Sequence, residues 1–268
     1  MPIDSLQGRH ILILGGSDGM GYATASYLLK AGAVVTICGR SEKKLEGAHA
    51  RLLSETGVGK DNLRSTSLDA CDTASVAAAT TLALDGQGEL DGVFVTAGGS
   101  GMALVVDHTT EFMASEWANN LFPVMNAIVA AVPHMKRKGG SIVALSSVAA
   151  IRTLQGLAGY NAAKAGLEQY VATAADELGQ YKIRVNSVRP GLTMTGVIGD
   201  EIEHPVYRAR FTKHTPLGFY GVPDDFGPMV SMLLSPESSW ITGQTFSIDG
   251  GLSLRGYGGD GLTTDWGL

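Results

Sequence analysis

Cysteine is scarce in this 268-residue chain: Cys38 and Cys71 are the only two, each inside or beside an apolar run. That excludes a secreted disulfide framework and fits a reducing compartment, the cytoplasm. Long apolar runs are missing as well. "AIVAAV" at 127–132 is far below the ~18 residues a membrane span needs, and "MPIDSLQGRH" at the start holds no apolar signal core. A soluble protein without a membrane partner is expected. Positive charge is in deficit, with 20 Lys and Arg against 26 Asp and Glu, and no basic run exceeds "KRK" at 136–138. The electrostatic footprint of a nucleic-acid binder is therefore absent. The six histidines show no metal-ligand spacing, so no metal is expected.

What is present is an apolar share of 44%, enough for a sizeable core. Short β-branched runs recur: "HILIL" (10–14), "VVTIC" (34–38), "LRSTSL" (63–68), "GVFVT" (92–96), "SIVALS" (141–146), "IRVNSV" (183–188) and "TFSI" (245–248). Helix-like stretches separate them, which predicts an α/β fold: a doubly wound, mostly parallel sheet of about seven strands with helices on both faces, Rossmann-like. Near-continuous apolar strands agree, because parallel strands are buried on both sides. Residues 1–251 are expected to form a single nucleotide-binding and catalytic domain. Within it, residues 192–220 read as an irregular insertion long enough to cover a site. The tail at 252–268 is glycine-rich yet ends in Trp266 and Leu268, as a free terminus or as an arm docking on a neighbouring subunit.

After the first strand comes "GGSDGMG", which sets Gly15, Gly19 and Gly21 in G-x-x-x-G-x-G spacing around Ser17 and Met20, followed by the Ala-rich "YATASYLLKAG". A strand, a glycine turn and a helix N-terminus together make a pyrophosphate cradle, because glycines admit close backbone approach and free helix N–H groups attract anions. At the end of the second strand a dinucleotide site places either an acid for the ribose or a cation for a 2′-phosphate. Here Gly39 leaves no carboxylate, while Arg40 offers a fixed guanidinium suited to phosphate. That favours NADP(H) over NAD(H). Asp18 in the loop argues mildly the other way, and Glu42 is within reach of a ribose.

"YNAAK" at 160–164 puts Tyr160 and Lys164 four positions apart, neighbours on one face of a helix. Such a pair alone is weak evidence: eight tyrosines and nine lysines yield about 0.3 of them by chance. The rest of the chain decides. "LDACD" carries Asp69 and Ala70, "VTAGG" carries Ala97 and Gly98, and "ANNLF" carries Asn120. Further on, "ALSSVAA" carries Ser147 and "VRPGLTMT" carries Pro190, Gly191, Thr193 and Thr195. In this order, with thirteen residues between Ser147 and Tyr160, the chain resembles the short-chain dehydrogenase/reductase family of the Tyr-x-x-x-Lys type from about residue 8 to 251. It departs from the pattern at Leu14, where the family often has threonine, and at Val95 and Thr96, which replace paired asparagines.

The resemblance implies a catalytic set of Asn120, Ser147, Tyr160 and Lys164. Tyr160 is then general acid for carbonyl reduction and base for alcohol oxidation, and Ser147 holds the substrate oxygen. Lys164 lowers the phenol pKa and bonds the nicotinamide ribose, and Asn120 holds a water that links Lys164 to solvent. It implies that Asp69 bonds the adenine and that the 190–195 turn holds the carboxamide. A unit charge ~4 Å away is worth roughly 1 kcal/mol in water but about 4 at an effective dielectric of 20, so the pair must be desolvated to shift the phenol by nearly three pH units.

The pocket is expected from 98–105, 152–159 and 192–215, with Met102, Leu154, Leu157, Met194, Val197 and Ile198 as apolar candidates. An apolar ketone or secondary alcohol is the expected small-molecule partner. Small residues along 160–178 permit close helix approach, and family members associate through this helix, so a homotetramer or at least a dimer is expected. Two other readings stay open: a non-catalytic dinucleotide-binding sensor or assembly subunit, and a reductase of activated carbon–carbon double bonds.

Overall fold

A computed structural model describes residues 4–196 and 212–254. Seven strands form one parallel sheet in the order β3-β2-β1-β4-β5-β6-β7. They are β1 (His10–Leu14), β2 (Val34–Gly39), β3 (Leu63–Ser67), β4 (Gly92–Val95), β5 (Gly140–Leu145), β6 (Ile183–Pro190) and β7 (Thr245–Ile248). All seven fall on the predicted runs. The central strands are covered on both faces, and Ile11 to Leu14 and Val93 to Val95 are at most 1% exposed. That double burial explains why the strands read as unbroken apolar runs.

Seven helices that lie wholly among the described residues wrap the sheet: α1 (Gly19–Lys30), α2 (Glu42–Thr56), α3 (Thr73–Ala83), α4 (Thr110–Asn120), α5 (Phe122–Met135), α6 (Ala158–Leu178) and α7 (Gly227–Leu234). Four of them start on side-chain caps, at Asp18, Ser41, Asp72 and Thr109, each oxygen taking an N–H that the helix leaves free. One core cluster joins β-strand side chains to α3, α5 and α6; the other joins the opposite side chains to α1, α2 and α7. No described helix is long and apolar enough to cross a membrane.

The strand order reverses between β1 and β4, which pair in register from Ile11 with Gly92 to Leu14 with Val95. Loops leaving the carboxyl ends of these two strands diverge to opposite faces and open a crevice there. Of the 192–220 insertion, the structure describes 192–196 and 212–220, so Val197 and Ile198 lie outside the described residues, as does the tail beyond 254. At the start of the tail, Leu252–Leu254 form a short 3-10 turn, and the Arg152 guanidinium donates to the Ser253 carbonyl.

Candidate active site

A cleft of about 700 Å³ runs along the carboxyl edge of the sheet. Its walls come from Gly15 and Ser17 through Gly21, then Gly39 and Arg40, Leu68 to Cys71, Thr96 to Gly101, and Thr195. The glycine loop is closely fitted. A Cβ on Gly15, whose φ is +103°, would lie 2.1 Å from Thr96 Oγ1, and one on Gly21 would lie 2.2 Å from the Gly15 carbonyl oxygen. Thr96 Oγ1 donates to the carbonyls of Leu14 and Gly15 at 3.1 and 2.9 Å. This threonine, a departure from the family pattern, thus ties β4 to the loop.

Asp18 does not stand free in the cleft, because its carboxylate accepts from the Gly19 N–H at 2.7 Å. Helix geometry leaves the N–H groups of Met20 and Gly21 without intrahelical acceptors, and both residues line the cleft. Arg40 is exposed on the wall beside Gly39, and a Cβ there would meet Ser17 Oγ at 3.1 Å. Glu42 opens α2 and is not part of the wall. Asp69 lines the cleft and accepts from the Cys71 N–H at 2.9 Å, while Asn126 holds the Ala70 carbonyl. Volume, backbone donors and a cation at the end of β2 fit a dinucleotide.

At the inner end the arrangement changes. Lys164 is 3% exposed and donates to the Leu145 carbonyl at 2.8 Å. Gly98 brings it to Asn120: a Cβ on that glycine would lie 3.0 Å from Asn120 Oδ1 and 3.4 Å from Lys164 Nζ. Of the two adjacent asparagines, Asn120 is fully buried and donates through Nδ2 to the carbonyls of Gly99 and Glu116 at 2.7 and 2.9 Å, whereas Asn119 is exposed and lines the cleft. Ser147 accepts from the Ala149 N–H at 3.1 Å, and its hydroxyl stands on the side of the half-buried Tyr160 phenol, whose pKa it lowers. Asn120, Ser147, Tyr160 and Lys164 are thus brought together. Pro190, Gly191 and Thr193 sit off the cleft wall, where Thr193 Oγ1 donates to the Gly191 carbonyl at 3.1 Å.

One expectation is reversed. Burial pushes the Tyr160 phenol above its ordinary pKa, Ser147 pulls it down, and Glu116 pushes it up again. In the protein alone, Lys164 does not make the phenol acidic. Burial draws the Lys164 ammonium itself down to about 8, against an upward pull from Glu168. Glu116, which belongs to none of the motifs, is 2% exposed and lines the cleft. Among the apolar candidates, Met102 and Leu154 are exposed and do not line the cleft, and the Ala103 N–H joins the two predicted pocket stretches by donating to the Gly156 carbonyl at 2.9 Å. Among the described residues no group of His, Cys, Asp and Glu could hold a metal.

A parallel sheet with a dinucleotide cradle at its switch point and a Ser-Tyr-Lys cluster beside it defines a nicotinamide-dependent oxidoreductase. The chain belongs to the short-chain dehydrogenase/reductase family, whose members act on CH–OH groups: the family profile described as enoyl-(acyl carrier protein) reductase matches residues 15–253. It is 33% identical to the trans-4-hydroxycyclohexanecarboxylate dehydrogenase of Sinomonas cyclohexanicum, over 92% of this chain and 94% of that one. A solved short-chain dehydrogenase/reductase from Mycobacterium ulcerans superposes with a TM-score of 0.88 at 34% identity, covering 94% of this chain and 92% of that one. The NADPH-bound short-chain oxidoreductase of Pseudomonas aeruginosa, with an atypical catalytic centre, gives a TM-score of 0.85 at 26% identity, with 93% and 100% covered.

Proposed function

We propose that residues 1–251 form one catalytic unit that interconverts a secondary alcohol and a ketone on an apolar small molecule, with NADP(H) preferred over NAD(H). The observation that carries this reading is a buried Lys164 set 5.7 Å from the Tyr160 ring and held by Leu145 and against Gly98, two residues that line a dinucleotide-sized cleft. The nicotinamide supplies or accepts the hydride when bound. Tyr160 exchanges the proton at the substrate oxygen, and Ser147 donates a hydrogen bond as charge develops on that oxygen. Lys164 and Asn120 hold the ribose side and the proton path to solvent.

The glycine loop residues Gly15, Ser17, Gly19, Met20 and Gly21 hold the pyrophosphate, Arg40 the 2′-phosphate, and Asp69 and Ala70 the adenine. Ala97 and Gly98 form the floor, and Pro190, Gly191, Thr193 and Thr195 hold the carboxamide end. The cofactor preference draws support from Arg40 on the wall, where Gly39 supplies no acid, and from the NADPH-bound relative. The exposed apolar side chains Met102 and Leu154 support an apolar substrate, and the ring alcohol of the trans-4-hydroxycyclohexanecarboxylate named for one relative supports a cyclic one. A double-bond reductase is the second reading, favoured by the family profile's description; the thirteen-residue interval from Ser147 to Tyr160 favours the alcohol–ketone reaction.

Assembly as a homotetramer or dimer follows from exposed small residues on α6, Ala162 and Ala165 among them. The test is titration with NADPH and NADH, then a screen of ketones followed by loss of nicotinamide absorbance in wild type and Tyr160→Phe. The variant should bind NADPH normally and lose about 10²–10⁴-fold in turnover. Unchanged turnover would remove the proposed proton donor, and sedimentation of a ~28 kDa species alone would remove the oligomer.

A further inference from the structure

Glu116 occupies a slot made by two glycines distant in sequence. Its Oε1 accepts from the Gly101 N–H at 2.7 Å, and a Cβ on Gly101 would lie 3.0 Å from that oxygen. Its Cγ packs on Gly159, the residue before Tyr160, where a Cβ would come within 2.9 Å. Its backbone carbonyl accepts from Asn120 Nδ2. The second carboxyl oxygen, Oε2, is shielded from solvent and has no hydrogen-bond partner, and no ion pair among the described residues includes Glu116. A buried carboxyl left half-satisfied and without a cation is costly, so its presence beside the reacting phenol calls for an explanation.

We infer that Glu116, from its slot against the residue before Tyr160, is a positioning residue that holds Tyr160 in its protonated, proton-donating form, so that carbonyl reduction stays fast over a wide pH range while alcohol oxidation requires alkaline conditions. The inference rests on Tyr160 being the proton donor proposed above. The overall equilibrium belongs to the cofactor and substrate. Glu116 sets only the pH at which each direction runs.

The charges around Tyr160 support this division. Lys164, one turn along α6, lies with its ammonium 5.7 Å from the phenol ring centroid, but that nitrogen is bonded to Leu145. Glu168, a further turn on, is committed to Arg189 at 2.6 Å and to Ser146. From the 152–157 loop, Arg152 turns away to the Ser253 carbonyl. Ahead of α4, His108 stacks on Phe112 with its Nε2 toward the Ala103 carbonyl. Ser147 is neutral. Glu116 is the one anion among the described residues that acts on the Tyr160 phenol, and its push is upward.

The test is a titration of the full chain carrying ¹³Cζ-tyrosine, with and without NADP⁺, the Tyr160 resonance being assigned by its loss in Tyr160→Phe. In Glu116→Gln the Tyr160 midpoint should fall while the other tyrosines stay in place, since a charge in a buried slot is weakly screened. The pH profile of alcohol oxidation should move down by the same amount. An unmoved midpoint overturns the inference. So does a wild-type midpoint, without NADP⁺, at or below that of a free tyrosine near ~10, a measurement that needs no variant to fold. Retained turnover in Tyr160→Phe would instead sink the proposed reaction and leave the midpoint shift standing as an electrostatic fact.

Discussion

The two ends of the cleft are built from different material. At the phosphate end the working surface is backbone: the glycine loop, the first N–H groups of α1 and the Thr96 bridge, with Asp18 already spent on a cap. At the reaction end the surface is made of polar side chains under cover, with Asn120 at 0%, Glu116 at 2% and Lys164 at 3% exposure. The first end works by leaving side chains out, and the second by keeping polar side chains under cover, among them the Lys164 ammonium, whose charged form burial disfavours. The two should therefore fail in opposite ways: adding one carbon wrecks the first, whereas removing a charge from the second stabilises the fold at the expense of chemistry.

The largest effect expected from this contrast is at Gly21. An alanine Cβ there would stand 2.2 Å from the Gly15 carbonyl oxygen and 2.9 Å from its carbon, backbone atoms that cannot step aside without moving the loop. Gly21→Ala should lose stability near the upper end of the about 1–3 kcal/mol typical of overpacking, and at least tenfold in NADPH affinity. Gly99 serves as the internal control, since it lines the same cleft and a Cβ there would meet nothing within 4 Å. Thermal unfolding and NADPH titration of both variants decide the matter. A tolerated alanine at position 21 would break the comparison at its phosphate end.

Lys164 sharpens the other end. In the folded chain burial holds its pKa at about 8, against an ordinary 10.5. Between those values the unfolded chain binds more protons, so stability rises with pH across that window and the burial penalty is full below pH 8. A difference of 2.5 units corresponds to about 3 kcal/mol. Lys164→Met removes that penalty but leaves the Leu145 carbonyl without its donor, an offset of about 1 kcal/mol. The variant should be about 2 kcal/mol more stable than wild type at pH 7, with the advantage fading toward pH 10, and inactive. Urea unfolding at the two pH values checks it. A variant less stable at pH 7 would show that the ammonium is better accommodated than its burial implies.

The same contrast explains what could be read from residues alone. Parallel strands buried on both faces leave unbroken apolar runs, and a backbone cradle requires glycines at fixed offsets, so the sheet and the phosphate end were both legible. Ser147, Tyr160 and Lys164 were legible because two of them share a helix face and the third keeps a set interval. Glu116 was not. In "ASEWANN" it reads as an ordinary exposed helix acid, and its burial depends on Gly101 and Gly159, partners from a loop and from another helix. The direction of the Tyr160 shift was missed for the same reason, since the neighbouring Lys164 is visible in sequence and the cover over both residues is not.

The smallest effect expected lies at the rim. Arg40 is exposed, so its attraction for a phosphate works against solvent and salt rather than in a sealed site. A guanidinium–phosphate contact in that setting contributes about 1–2 kcal/mol, and Arg40→Ala should raise the NADPH dissociation constant about tenfold while leaving that of NADH nearly unchanged. Because the contact is screened, the loss should shrink as salt rises from 50 to 500 mM, unlike the salt-insensitive loss expected from Gly21→Ala. Parallel NADPH and NADH titrations across that range separate a backbone cradle from a side-chain contact on the same wall. Equal losses for both cofactors would mean that Arg40 supports the loop rather than reading the 2′-phosphate.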